Sequence, residues 1–125
     1  MEDIALIGGD RMTIREAIKK ADAMRENAIA DEIKADWVWQ IECELADLIK
    51  REAVENPFPN DAELVMPAPH DMIYVYYLVA MIDNYNQDST LYSNDMVLFN
   101  EAYGEARRWW RRHNLPFESG NWKVM

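Results

Sequence analysis

The feature that most constrains the fold is an uninterrupted run of apolar and aromatic residues at 72–82, MIYVYYLVAMI. The run is too short to span a bilayer as a helix, because spanning takes about 20 residues. Its β-branched and aromatic content also suits a buried strand. Pro69 and Asp71 are typical of a first helical turn and the apolar pattern continues to Tyr85, so we predict a helix over 69–86. Because that helix is apolar on nearly all sides, we expect it at the centre of the fold or in an interface.

Two helices are predicted before this run. Thr13 and Glu16 have the spacing of a capping box, in which side chains bond the free amides of a first turn, and this predicts a helix over 13–25. Apolar residues then recur every three or four positions, which predicts a helix over 31–53. At ~100° per residue, the expected buried stripe of that helix contains Ile33, Trp37, Ile41, Leu45 and Leu48.

A fourth helix is predicted over 89–113, where Asp88 or Ser89 can cap the first turn. One broad face of this helix is apolar and includes Trp109 and Trp110. The turn that precedes it is short, so the third and fourth helices are expected to pack antiparallel.

The rest of the chain forms one connection and two arms. Four of the five prolines lie in 54–69, where they remove backbone donors and fix φ, so we expect a long extended connection. Residues 1–12 and 114–125 lie outside the regular pattern and are interpreted as N-terminal and C-terminal arms. The prediction is a mainly α fold: a small four-helix domain at 13–113 with a long proline-rich connection and extended terminal arms.

Composition disfavours several classes of function. The 125 residues suit one domain. The net charge of −10 disfavours nonspecific attraction to nucleic acid or anionic lipid, since both need a basic surface. Cys43 is the single cysteine, so no intrachain disulfide can form and a reducing compartment fits. The acidic start and the short apolar run at 4–7 are typical of neither a signal peptide nor an anchor.

The sequence carries no pattern of a catalytic or metal site. A dinuclear metal bundle uses Glu-x-x-His pairs, but Pro67 and Trp110 stand three residues before His70 and His113. Cys43 has no histidine near it in sequence, and there is neither a glycine-rich phosphate loop nor a zinc-ligand spacing. We therefore expect no enzyme activity, no cofactor and no metal.

One charge feature is a long stretch without basic residues. Between Arg51 and Arg107 there is no Lys or Arg, and the stretch carries ten acidic residues. The stretch is compatible with a negative surface that has a function. It is equally compatible with the general acidity of the chain.

A second charge feature is the sequence RRWWRRH at 107–113. On a helical wheel its arginines share one side, while Trp109 and Trp110 turn toward the apolar face. Three interpretations stay open: charge that stabilises a helix C-terminus, a protein interface, or nucleic-acid binding.

Trp39 is the one large aromatic residue that the predicted second helix places away from its stripe. It lies roughly 150° from the stripe centre, at ~100° per residue. A large aromatic side chain off the core face is typical of an interface. Packing against the proline-rich connection is the other interpretation.

Three segments together resemble a known family: TIREAIKKADAMREN at 13–27, NPFPNDAELVMPAPHDMIYVYYLVAMIDNYN at 56–86, and LYSNDMVLFNEAYGEARRWW at 91–110. They resemble the head–tail connector proteins of tailed bacteriophages, also called neck adaptor or head-completion proteins. The resemblance covers roughly residues 12–114. Its most specific part is the pair of apolar helices joined by a short polar turn at 84–90.

The resemblance implies a mainly helical, non-enzymatic structural protein of the virion. Such a protein forms a homo-oligomeric ring between portal and tail, at the head–tail junction, and double-stranded DNA passes through it without specific binding. The implied partners are the portal protein and other neck or tail-completion proteins, with no membrane, and synthesis takes place in the bacterial cytoplasm. The competing class is a small helical protein-binding or regulatory module, also non-enzymatic.

On this hypothesis two sets of residues are candidate sites. Arginines and aromatic residues are expected to contact partner chains: Trp39, Arg107, Arg108, Arg111, Arg112, Phe117 and Trp122. Acidic residues are expected to line the channel: Glu55, Asp61 and Glu63. A negatively charged channel lining would let DNA pass without binding to it.

Overall fold

The computed structural model describes residues 11–51 and 63–114. They form four α-helices, with no β-strand among the described residues: α1 (Ile14–Met24), α2 (Asp31–Leu48), α3 (Met72–Tyr85) and α4 (Ser89–Asn114). This confirms the predicted mainly helical, four-helix fold. Nearly all of the two predicted arms, and much of the proline-rich connection, lie outside the described residues.

The helix starts at Thr13 and Asp88 are fixed by the capping groups that the sequence predicts. The Thr13 hydroxyl accepts from the Glu16 amide at 3.1 Å, and the Glu16 carboxylate accepts from the Thr13 amide at 3.0 Å. At the start of α4, the Asp88 carboxylate accepts from the Leu91 amide at 3.0 Å. Each cap satisfies a backbone donor that the first turn leaves unpaired.

Helix α3 is central, as its composition predicts, and packs against each of the other three helices. Its largest buried side chains are Ile73, Tyr74, Val75, Leu78, Val79 and Ile82. The helix begins at Met72, three residues later than predicted. Pro69 lies in the turn before it, where the His70 amide donates to the Pro67 carbonyl at 2.9 Å.

Helices α3 and α4 form the expected antiparallel pair. The ring of His70, just before α3, lies 4.9 Å from the ring of Trp109 near the end of α4. In the middle of the pair, the Tyr77 ring lies 5.2 Å from the Phe99 ring. Helix α2 also runs antiparallel to α3, since Glu42 bonds Tyr74 while Trp37 lies 6.3 Å from Tyr85.

The predicted buried stripe of α2 is partly wrong. Ile33 is 40% exposed, and Trp37 and Leu48 are only partly buried. The buried face is rotated and contains two ionisable side chains, Lys34 and Glu42, which interrupt the hydrophobic pattern. Its other members are Ala35, Val38, Ile41, Leu45, Ala46 and Ile49.

Helix α2 also ends at Leu48, earlier than the predicted 53. Lys50 has a φ of 60°, and the Arg51 amide donates back to the Ala46 carbonyl at 2.8 Å. These are the features of a Schellman ending, in which the residue after the cap is left-handed. Glycine is the usual residue at that position. Because lysine stands there instead, the sequence gives no signal that the helix ends.

Candidate interaction surfaces

A buried ion cluster joins three elements around Arg25, the residue that ends α1. Its guanidinium donates to Asp83 of α3 at 2.7 Å and to Asp95 of α4 at 2.7 Å. The side chain of Asp83 is 1% exposed, and its second carboxylate oxygen has no hydrogen-bond partner among the described residues. Burial and the neighbouring Asp95 raise the pKa of Asp83 to about 6. The cluster fixes the α3–α4 pair to the end of α1.

A second buried carboxylate, Glu42, holds the segment that precedes α3. It accepts from the Tyr74 hydroxyl at 2.6 Å and from the Val65 amide at 3.0 Å. The Tyr74 oxygen in turn accepts from the Met66 amide at 3.0 Å. Burial raises the pKa of Glu42 to about 7. Neither this cluster nor the one at Arg25 was predicted, because each carboxylate finds its partners only in the folded chain.

Lys34 forms a third cluster at the junction of α1 and α2. Its ammonium group lies 2.8 Å from Asp22, 3.0 Å from Asn27 and 3.5 Å from Asp31. The three acceptors lie on α1, on the connection and on the first turn of α2, so this lysine fixes the angle between the helices.

Cys43 and His70, two residues whose side chains could carry chemistry, are each partly buried. Burial raises the pKa of Cys43, which disfavours the reactive thiolate. Burial lowers the pKa of His70, whose ring packs on Trp109. Among residues 11–51 and 63–114, no three His, Cys, Asp or Glu side chains are grouped as metal ligands. No helix in these ranges is long and apolar enough to cross a membrane.

The four arginines near the C-terminus of α4 form an exposed basic surface, here called the arginine end: Arg107, Arg108, Arg111 and Arg112. Trp109 is buried and Trp110 packs on the core, as the helical wheel predicts. At ~100° per residue the arginines span an arc of about 140° on the side away from α3. Arg108 pairs with Glu105 at 2.9 Å, and Arg107 lies over the Tyr103 ring at 5.1 Å.

Helix α2 presents a surface of opposite sign, here called the acidic face: Glu32, Asp36, Glu44 and Asp47, all exposed. At ~100° per residue they lie within about 120°, centred opposite the buried side of the helix. The stretch without basic residues between Arg51 and Arg107 is compatible, in the sequence, with a negative surface or with the general acidity of the chain. Two acids of that stretch, Asp83 and Asp95, are instead buried around Arg25.

The remaining predicted site residues are only partly described. Trp39 is half-buried on α2, between the buried side and the acidic face. Glu63 is exposed, and its backbone forms an antiparallel bridge with Thr13. The other predicted channel and interface residues lie outside the described residues: Glu55, Asp61, Phe117 and Trp122.

The described residues form a small four-helix domain whose surface carries two helix faces of opposite charge. No family model, curated protein or solved structure matches the chain.

Proposed function

We propose that this chain is a head–tail connector of a tailed bacteriophage, a structural protein that forms a ring between portal and tail. The sequence resemblance over 12–114 supports this assignment. The structural observation that carries it is the arginine end: four guanidiniums exposed on one side of a helix, in a chain of net charge −10. Because the tryptophans between them pack inward, the arginines are left available to acidic surfaces of partner proteins.

The proposed ring surrounds DNA without gripping it. A protein that neutralises many phosphates gains affinity by releasing counterions, whereas a conduit must let the genome pass. Glu55, Asp61 and Glu63 are proposed to face the lumen, and the arginine end faces away from it. The proposed partners of Trp39 and of the C-terminal arm with Phe117 and Trp122 are portal and neck proteins. The arginine end is proposed to contact acidic protein surface within the assembly, which includes that of neighbouring subunits of the ring.

The experiment is to mix the purified protein with the portal protein of its phage and to examine the product by native mass spectrometry and electron microscopy. A closed ring stacked on the portal is expected. The variant Arg108→Glu/Arg111→Glu should lose ring formation or portal binding. A protein that stays monomeric or dimeric with the portal, and that captures a single partner outside the virion, would contradict the proposal. That result would favour the protein-binding module.

A further inference from the structure

We propose that the arginine end of one copy binds the acidic face of a second copy, head to tail. The inference rests on the proposed function, because it specifies which surfaces join neighbouring subunits of the ring. Both surfaces belong to the described residues, and they carry opposite charge.

The placement of the two surfaces prevents them from meeting within one chain. Helix α3 packs against both α2 and α4, and each charged surface lies on the side of its helix away from the core. The acidic face is therefore exposed on one side of the molecule, and the arginine end is exposed on a different side. A contact between two different patches is heterologous, and its repetition generates a ring when the rotation closes.

The dimensions of the two surfaces are compatible with this contact. At a rise of ~1.5 Å per residue, the arginine end is about 8 Å long and the acidic face about 22 Å. Lys50 and Arg51 are exposed just beyond Asp47, so they disfavour docking at that end of the face. We therefore place the contact on the part of α2 that carries Glu32, Asp36 and Glu44.

Ile33 and Cys43 give this contact an apolar component. At ~100° per residue both lie within the arc of the acidic face, and Ile33 is 40% exposed. Paired charges around an apolar centre are typical of specific interfaces, in which charge fixes register and speeds association. Because the pairs are exposed, ring formation should weaken as salt rises.

A charge-swap experiment on the full chain tests the contact, with portal present if the wild type needs it to form a ring. The first variant is Arg108→Glu/Arg111→Glu and the second is Glu32→Lys/Glu44→Lys. Each alone places like charges in the contact and should weaken self-association about tenfold or more. Mixing the two restores attraction at both kinds of contact, and so does combining all four changes in one chain. Native mass spectrometry should then show rings of the chain that carries all four changes. If the ring holds an even number of subunits, the mixture should also give rings that contain the two variants in equal numbers.

Matched controls carry the same charge changes at exposed positions outside both surfaces. Lys19→Glu/Lys20→Glu and Glu26→Lys, all at exposed positions, should leave ring formation unchanged. If the wild type forms rings and the two test variants form them equally well, or if the chain with all four changes forms none, the contact is wrong while the proposed function stands. If the wild type forms no ring even with the portal, both proposals fail.

Discussion

At the scale of single residues, Glu42 makes the folded state sensitive to pH. Burial raises the pKa of this carboxyl group from 4.5 to about 7, so the folded chain holds a proton that the unfolded chain releases. The free energy of unfolding therefore falls as pH rises from about 4.5 through 7. Ionisation at Glu42 costs about 3 kcal/mol, at 1.36 kcal/mol per pKa unit.

We expect Glu42→Gln to flatten this dependence between pH 6 and 8. The amide oxygen can still accept a hydrogen bond, but the side chain no longer ionises. Urea unfolding at several pH values measures the effect, and Glu44→Gln, on the exposed side of α2, is the control that should retain the wild-type slope. Asp83, with its pKa raised to about 6, should leave a residual slope at lower pH. An E42Q slope as steep as that of the wild type between pH 6 and 8 would disprove this assignment.

At the scale of elements, the sequence predicts what depends on local signals. The starts of α1 and α4 are marked by caps, and the central position of α3 follows from its composition. The predicted buried face of α2 is wrong because Lys34 and Glu42 look like surface residues in the sequence. Only the folded chain shows the hydrogen-bond partners that offset the free-energy cost of burying them. The arginine end was predicted from four neighbouring residues on one helix. The acidic face was missed because its position depends on which side of α2 is buried.

Arg25 connects the end of α1 to α3 and α4, so we expect its removal to lower the free energy of unfolding. Arg25→Ala leaves the Asp83 and Asp95 carboxylates without the cation between them. Since 26% of the Arg25 side chain is exposed, water offsets part of the loss, and we expect the free energy of unfolding to fall by about 2–3 kcal/mol. Thermal or urea unfolding measures it. Arg108→Ala removes an exposed pair with Glu105, and it should lower the free energy of unfolding much less, because solvent screens that pair. Equal losses in the two variants would show that the Arg25 cluster adds nothing to stability.

At the scale of the whole molecule, the balance between net charge and local charge decides how the chain behaves toward DNA. The net charge of −10 repels phosphates at long range, while the arginine end alone could attract them. Four arginines on one helix end neutralise at most a few phosphates. Binding through so few contacts is weak and falls further as salt rises, since the slope of log affinity against log salt is about −0.9 per phosphate contacted.

We therefore expect the isolated wild-type protein to show no tight binding to duplex DNA at physiological salt, measured by fluorescence anisotropy. Arg108→Glu/Arg111→Glu should leave that weak affinity almost unchanged while it impairs ring formation. This pair of measurements separates two roles for the same side chains. In a ring through which DNA passes, the arginines should contact neighbouring proteins and not the DNA. Their replacement should then change assembly and leave DNA binding unaffected. Tight duplex binding that the double substitution abolishes would instead assign the arginines to nucleic acid and overturn the channel proposal.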